Sequence, residues 1–248
     1  MSFAEEAQKK RRFAELAERA YTTGRCLFTP FMAMDEVDLL LQCKSDVEYA
    51  GLTLFGGTEG CERVMARFGD GEEPFPICCI KAEPAQQKFA DPLTHRDLLG
   101  AMMNLEIARE TLGDIYLLEN VGYIFCKDSV APILLEELTK ARHTTLRCSL
   151  CENVPADLCT RTEERMIQVA SLRADVLVAG VFKLSREESL ELFRGRLVYI
   201  DGKITENNSG TVEEGNVISV RRHGKFRFAG VVSTSRKGKF NVKVEVYV

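Results

Sequence analysis

Cysteine and histidine are the residues of this chain that could ligate a metal or act as nucleophiles. The sequence holds nine Cys and three His, and His143, Cys148, Cys151 and Cys159 include one Cys-x-x-Cys pair. A second pair at zinc-knuckle spacing is missing, and in a strand Cys148 and Cys151 would face opposite sides. No residue is marked as a catalytic nucleophile by its neighbours. We therefore predict no metal, no cofactor and no catalytic residue.

Two short motifs resemble catalytic or phosphate-binding loops but lack essential parts. His95-Arg96-Asp97 matches the tripeptide of the protein-kinase catalytic loop, yet Met102 stands where that loop has Asn. Thr94 as N-cap with Asp97 three residues later instead predicts a capping box that opens a helix. The sequence GGTEG at 56–60 fits neither glycine fingerprint for phosphate and has no following Lys. We expect it to be a turn from a strand over 49–55 into a helix that ends near Phe68.

Positive charge is concentrated in the last third of the chain. The whole sequence has 33 Lys+Arg and 37 Asp+Glu, a net charge of −4. Residues 171–248 hold 14 Lys+Arg and 9 Asp+Glu, which leaves 19 and 28 for residues 1–170, so the two parts carry +5 and −9. Such asymmetry indicates a basic contact module on an acidic body, although chance segregation of surface charge gives the same totals.

The basic residues of this last third lie at predicted element ends. A first helix is expected to bury Leu172, Val176, Ala179 and Gly180, and Ser185-Arg186-Glu187-Glu188 predicts a capping box for a second helix. The N-terminus of that second helix, with Arg186 in its first turn, could hold a backbone phosphate.

Two hairpins are predicted after Gly195 ends the second helix. Asp201-Gly202 is a turn signal after strand 197–200, and Lys203 lies beside it. Strands 217–222 and 225–229 flank His223-Gly224, with the outward-facing Lys225 and Arg227 expected to form a free basic face.

The front part predicts two further modules. A helix buries Phe13, Leu16, Ala17 and Ala20, and Thr29-Pro30 predicts the start of a helix over 31–42. After a linker at 69–74 the pattern is β-α-β-β-α-β, as in ferredoxin-like and RNA-recognition-motif folds. Tyr123 and Phe125 alternate on its third strand, where such motifs stack bases, but ordinary core packing is the favoured interpretation.

Composition limits the protein class and the compartment. The chain is 45% apolar and 28% charged, which is typical of globular domains and excludes a disordered chain. No apolar run approaches the roughly 20 residues that cross a bilayer. The N-terminus lacks a secretory signal, so we expect a cytoplasmic protein whose cysteines are reduced thiols.

The stretch from Ser171 resembles the RNA-binding domain named after the fourth protein of the small ribosomal subunit (the S-four domain). The resemblance rests on Arg173-Ala174-Asp175, Ser185-Arg186, Gly195 and Asp201-Gly202-Lys203; Ala174 replaces the usual Leu and Asp201 the commoner Asn. It implies RNA binding by five residues, which are Arg173, Lys183, Ser185, Arg186 and Lys203. Charge and position add Arg194, Arg221, Arg222 and Lys225.

The whole chain resembles bacterial YlmH proteins, which are often associated with division genes. The most distinctive block is ADPLTHRDLLGAMMNLEIARETLGDI at 90–115. The resemblance implies a non-catalytic protein that binds rRNA of the large ribosomal subunit and tRNA, in quality control of stalled nascent chains. An RNA-modifying enzyme such as a pseudouridine synthase is one alternative, although His95-Arg96-Asp97 is one residue short of that synthase motif. A division-linked interaction scaffold is the other.

We therefore predict an α+β protein of three parts. Residues 1–72 form an N-terminal α/β module, residues 73–160 form the split β-α-β domain of RNA-recognition-motif type, and residues 171–248 form the S-four domain.

Overall fold

The computed structural model describes residues 3–155, 158 and 161–247. The chain divides into two compact units, Met1–Cys159 and Thr160–Val248. Helices accompany three antiparallel sheets, so the mixed α and β class is confirmed. Within the described residues no helix is long and apolar enough to span a membrane.

The front of the first unit is a helical layer on a small sheet. Its elements are α1 (Phe3–Thr23), β1 (Leu27–Phe28), α2 (Met34–Gln42), α3 (Lys44–Val47), β2 (Leu52–Phe55) and β3 (Met65–Phe68). The strands are ordered β1-β3-β2. Helix α1 buries Phe13, Ala17 and Ala20 against this layer, as its periodicity predicts.

Three local predictions in this part are wrong. Helix α2 begins at Met34 and not after Pro30, because the Thr29 hydroxyl is buried and accepts a hydrogen bond from the Ala66 N–H at 2.8 Å. Residues 65–68, predicted as the end of a helix, form the central strand of the small sheet. Of the predicted strand 49–55, only residues 52–55 pair. In each case pairing with distant strands overrides the local pattern.

The rest of the first unit has the element order β-α-β-β-α-β with a two-residue strand added. Its elements are β4 (Ile77–Pro84), α4 (His95–Met103), β5 (Leu112–Leu118), β6 (Val121–Lys127), α5 (Ala131–Glu137), β7 (Lys140–Ala141) and β8 (Thr144–Leu150). The antiparallel sheet has the order β5-β6-β4-β8-β7. Helices α4 and α5 bury Leu98, Met102 and Leu134 against one face of it. The capping box of Thr94 and Asp97 is present, with the Thr94 N–H donating to the Asp97 carboxylate at 3.0 Å.

The second unit is one curved sheet with two helices. Its elements are β9 (Thr162–Val169), α6 (Ala174–Phe182), α7 (Arg186–Arg194), β10 (Val198–Ile200), β11 (Lys203–Ile204), β12 (Val217–Val220), β13 (Gly224–Thr234) and β14 (Phe240–Tyr247). The strand order is β11-β10-β12-β13-β14-β9.

The core of the second unit differs from the prediction in two respects. Helix α6 buries Ala174, Leu177, Val178 and Val181, whereas the predicted buried residues Leu172, Val176, Ala179 and Gly180 are only partly buried. Strand β9 was not predicted, because most of its side chains are exposed and its first half is rich in charge; it pairs with β14 along its full length.

Candidate nucleic-acid interface

Two turns of the second unit meet at one end of its sheet. The Phe182 ring, at the end of α6, lies with its centroid 5.7 Å from that of His223 and 5.8 Å from that of Phe226. The α6–α7 turn therefore packs against the β12–β13 turn. Exposed cations lie on both turns, and we call the following four residues the basic end: Lys183, Arg186, Arg221 and Arg222.

Two of the four cations of the basic end are held at conformationally costly positions. Lys183 ends α6 with φ 56° and ψ 43°, and Arg222 has φ 72°. Glycine is the relaxed choice in this left-handed region, and other residues cost about 1–2 kcal/mol there. Strain of this kind concentrates at functional sites. Among the described residues, Lys183, Arg186 and Arg222 make no ion pair.

The N-terminus of α7 is occupied by its own capping box. The Ser185 hydroxyl accepts from the Glu188 N–H at 3.2 Å, and the Glu188 carboxylate accepts from the Ser185 N–H at 2.7 Å. These bonds lower the pKa of Glu188, the backbone N–H of Ser185 contributing most. The predicted phosphate position at this N-terminus is thus partly filled by a carboxylate, which leaves Arg186 as the group that can bind an anion.

Arg173 supports the fold through a bidentate ion pair. Its Nε and Nη2 donate to the two carboxylate oxygens of Asp175 at 3.0 and 2.7 Å, and Asn208 donates to the same carboxylate at 3.2 Å. The Asp175 side chain is only 2% exposed. Burial alone raises the pKa of Asp175, but the hydrogen bonds from Arg173 and Asn208 outweigh it, and the pKa lies below its ordinary value. Arg173 and Lys183 lie at opposite ends of α6, about 15 Å apart along the helix axis, so Arg173 is not part of the basic end.

Lys203 and Arg194 are exposed cations outside the basic end, and Arg194 lies about 12 Å from Arg186 along the axis of α7. The Asp201 carboxylate fixes the β10–β11 hairpin by accepting from the Val217 N–H at 2.8 Å. In the register, Lys203 pairs with Ile200, two positions along β10 from Val198, which faces the last residue of β12. That step is about 7 Å along the strand, and β11 lies two strand spacings, about 10 Å, from β12. Arg194 is exposed at the last position of α7.

The outward face of β13 and β14 is not a free basic face, which corrects the prediction for Lys225 and Arg227. Arg227 pairs with Glu245 at 3.3 Å and also donates to the Tyr247 hydroxyl at 3.1 Å. The Lys225 ammonium lies 4.3 Å from the centroid of the Tyr247 ring. Neighbouring Lys243 pairs with Glu164. Cross-strand pairing therefore neutralises much of this face.

Arg196 and a group of three cations were not predicted from the sequence. Arg196 has φ 56° and pairs with Glu206 at 3.4 Å. Three exposed cations lie on the β13–β14 turn, and they are Arg236, Lys237 and Lys239. The signal for this group was present in the sequence as three cations around a glycine in Ser-Arg-Lys-Gly-Lys.

The sheet of the first unit does not offer the aromatic platform of an RNA-recognition motif at Phe125. Phe125 is 1% exposed and packs on Tyr116 with centroids 6.3 Å apart. Gly57, at φ 110°, lies so close that an added Cβ would stand 2.3 Å from the Phe125 ring. Core packing is thus confirmed for Phe125, while Tyr123 remains half-buried between Lys81 and Tyr116.

Metal ligation has no support among the described residues. They contain no cluster of three or more His, Cys, Asp or Glu side chains that could hold a metal ion. Cys159, one of the four residues considered as ligands, lies outside the described residues.

Comparison with known proteins identifies the relatives of the chain. Residues 72–153 match the family model described as the putative RNA-binding domain in YlmH. The ribosome-associated protein quality control protein P2 of Bacillus subtilis (strain 168) is 28% identical over 204 residues, which cover 79% of this chain and 77% of that protein. The resemblance to YlmH proteins is confirmed. The residues that match this family model include β4 to β8 and lie outside the basic tail.

A solved structure is also similar. The cell division protein ylmH from Streptococcus pneumoniae covers 61% of this chain and 93% of that chain, with 22% sequence identity and a TM-score of 0.47.

Proposed function

We propose that this YlmH-like chain is a non-catalytic, cytoplasmic RNA-binding protein that acts in ribosome-associated quality control of stalled nascent chains. Its ligands are rRNA of the large ribosomal subunit and tRNA. The basic end carries the proposal, because it presents exposed cations on two packed turns. Two of them, Lys183 and Arg222, have positive φ, and among the described residues neither of these two makes an ion pair. The names of the family model and of the Bacillus relative describe RNA binding and ribosome-associated quality control, which supports the same role.

The proposal assigns different tasks to the nine predicted residues. Lys183, Arg186, Arg221 and Arg222 contact phosphates, with Lys203 and Arg194 extending the contact. Ser185 and Arg173 act mainly by holding α7 and α6 in place, because their polar atoms bond to Glu188 and Asp175. Lys225 contributes from its position on Tyr247.

The proposed layout of the chain is unchanged. Residues 171–248 form an S-four domain, residues 73–160 form a domain of RNA-recognition-motif type, and residues 1–72 form an α/β module. Strand β9 extends the sheet of the S-four domain on its N-terminal side.

Binding to large ribosomal subunits tests the role of the basic end. The basic-end variant carries Lys183→Gln, Arg186→Gln and Arg222→Gln in the full chain. A matched control, the paired-cation variant, carries Arg165→Gln, Arg227→Gln and Lys243→Gln, three cations that already pair with Glu163, Glu245 and Glu164. Both variants lose three positive charges.

Co-sedimentation at several salt concentrations gives the readout. We expect the basic-end variant to bind at least about tenfold more weakly and its log–log salt slope to fall by about 3, since each phosphate contact contributes about 1. The paired-cation variant should keep the slope of the unmodified protein. Equal affinities and slopes for the unmodified protein and the basic-end variant would refute the proposal.

Crosslinking in cells identifies the RNA. Sequencing of the attached RNA should return reads from rRNA of the large subunit and from tRNA. Loss of a modified nucleotide on gene deletion, restored by the purified protein, would instead show an RNA-modifying enzyme. A fragment of the acidic front that alone restored a deletion phenotype would favour the division scaffold.

A further inference from the structure

The β13–β14 turn carries a second group of cations, far along the sheet from the basic end. Arg236, Lys237 and Lys239 are exposed, and among the described residues none of them makes an ion pair. We call these three residues the hairpin tip. Between Glu214 and Glu245 the sequence has eight Lys+Arg and no Asp or Glu. The other cations of β13 and β14 contact Glu245, Glu164 or Tyr247, whereas none of these three residues pairs with a cation of the hairpin tip.

The turn that presents these cations is well ordered by its own hydrogen bonds. The Ser235 N–H donates to the Lys239 carbonyl at 2.7 Å, and the Gly238 N–H donates to the Ser235 carbonyl at 2.9 Å. The Ser235 hydroxyl accepts from the Lys239 N–H at 3.0 Å. Gly238 has φ 74°, which the tight turn requires. The strands below are anchored by Phe240, which packs against the core and pairs with Val169.

The distance between the tip and the basic end matches an extended ligand. Strand β13 runs from Gly224, at the basic end, to Thr234, at the base of the tip, over 11 residues. At about 3.3 Å per residue the strand spans up to roughly 30 Å, which its two irregularities near Val231 shorten somewhat. The outward face between them is largely neutralised by cross-strand pairs. A ligand that engages both groups must therefore carry regular negative charge over more than this distance, and a nucleic-acid backbone does so.

We propose that the hairpin tip is a second RNA contact, which engages the same RNA molecule as the basic end. This inference rests on the proposed function and adds to it. One RNA held at two points gains from the effective concentration that the first contact gives the second. The tip contacts phosphates, and its exposed Thr234 hydroxyl is placed to bond to phosphate or to 2′-hydroxyl groups beside it.

RNA duplexes of two lengths test the proposal. At no more than about 3.4 Å per base pair, a duplex of about 5 base pairs spans at most about 17 Å and is too short to reach both groups, whereas one of about 24 base pairs is long enough. The tip variant carries Arg236→Gln, Lys237→Gln and Lys239→Gln in the full chain, and the paired-cation variant is the control for charge. Affinity and salt slope are measured for both duplexes by fluorescence anisotropy.

The expected results separate this proposal from the proposed function. The unmodified protein should bind the long duplex at least about tenfold more tightly than the short one, and the tip variant should lose this preference together with about 3 units of salt slope. The paired-cation variant should keep the preference. If the tip variant binds like the unmodified protein while the basic-end variant fails, the tip proposal is wrong and the proposed function stands. If neither the basic-end variant nor the tip variant changes binding, both proposals are wrong. The tip proposal is also wrong if the tip binds an acidic peptide and its replacement leaves RNA binding unchanged.

Discussion

At the scale of single residues, the Asp175 carboxylate pairs with Arg173 at the start of α6 and joins this turn to the loop that follows β11 through Asn208. Asp175 accepts from Arg173 and Asn208, and its backbone carbonyl accepts from the buried Ser189 hydroxyl at 2.8 Å. Asp175 thus ties α6 to α7 through its backbone carbonyl and to a distant loop through its carboxylate. Any effect of Arg173 on RNA binding has to be separated from its effect on this network.

Asp175→Asn should destabilise the protein by about 2 kcal/mol at neutral pH, which is the usual contribution of hydrogen bonds to a charged group. Because the folded state lowers the pKa of Asp175, its contribution is complete above about pH 5 and is lost as the pH falls through the folded-state pKa. Urea unfolding from pH 7 to pH 3 should therefore show the two proteins converging in acid. A difference in stability that stays constant over this range would contradict the assignment.

Lys183 and Arg222 offer a way to separate folding from binding. Both have positive φ, and glycine relieves the strain of this conformation while removing the cation. Lys183→Gly should leave the free energy of unfolding unchanged or raise it by up to about 1 kcal/mol. It should also weaken RNA binding and lower the salt slope by about 1. Thermal unfolding and RNA titration of the same preparation measure both quantities. Gly24→Ala is the control for strain, because it makes the opposite exchange at φ 64° in open space. A destabilised Lys183→Gly with normal binding would show that Lys183 serves the fold.

At the scale of elements, sequence pattern was informative where a helix or strand is defined by its own residues. The capping boxes at Thr94 and Ser185 were predicted from four consecutive residues and are present. The small sheet of the first unit was not predicted, because β3 is a strand through its pairing with β1 and β2 on both sides. For the same reason β9 was missed, since nothing in its exposed, charged sequence shows that β14 will pair with it.

In the candidate site, too, the features set by local sequence were predictable and those set by distant partners were not. Spacing identified Arg186 and Lys203 as cations at element ends, the resemblance to the S-four domain added Lys183, and all three lie at element ends in the structure. Spacing could not show that Arg227 would meet Glu245, or that Arg173 would meet a buried carboxylate, because these partners depend on strand register and packing. The net charge of a segment therefore overstates how many of its cations are available to RNA.

The cap of α7 leads to a prediction at this scale. Ser185→Ala removes the acceptor for the Glu188 N–H and should cost about 1 kcal/mol of stability. Ser185→Asn keeps a capping oxygen and should recover most of that loss. Binding of RNA well below the unfolding temperature should change by less than about threefold in both variants if Ser185 acts only as a cap. Equal stability of the two variants would contradict the capping role, and a large loss of binding by Ser185→Asn would show a direct contact of this hydroxyl with RNA.

At the scale of the whole molecule, the net charge of −4 does not decide whether the chain binds a polyanion. Counterion release depends on the number of phosphates that are contacted, and charges farther than a Debye length of about 10 Å at 0.1 M salt are largely screened. The first unit can be acidic without preventing binding through a few exposed cations of the second.

Neutralising acidic residues of the first unit tests this directly. Glu18→Gln, Glu72→Gln and Glu73→Gln change three exposed carboxylates and bring the net charge from −4 to −1. The basic-end variant changes it by the same amount in the opposite direction, to −7. If local contacts govern binding, the acidic-residue variant should keep the salt slope and change the affinity by less than about twofold at 0.15 M salt, while the basic-end variant loses at least tenfold. If total charge governs binding, the two variants should shift affinity by similar factors in opposite directions. RNA titrations of both variants at 0.05 and 0.15 M salt distinguish these outcomes.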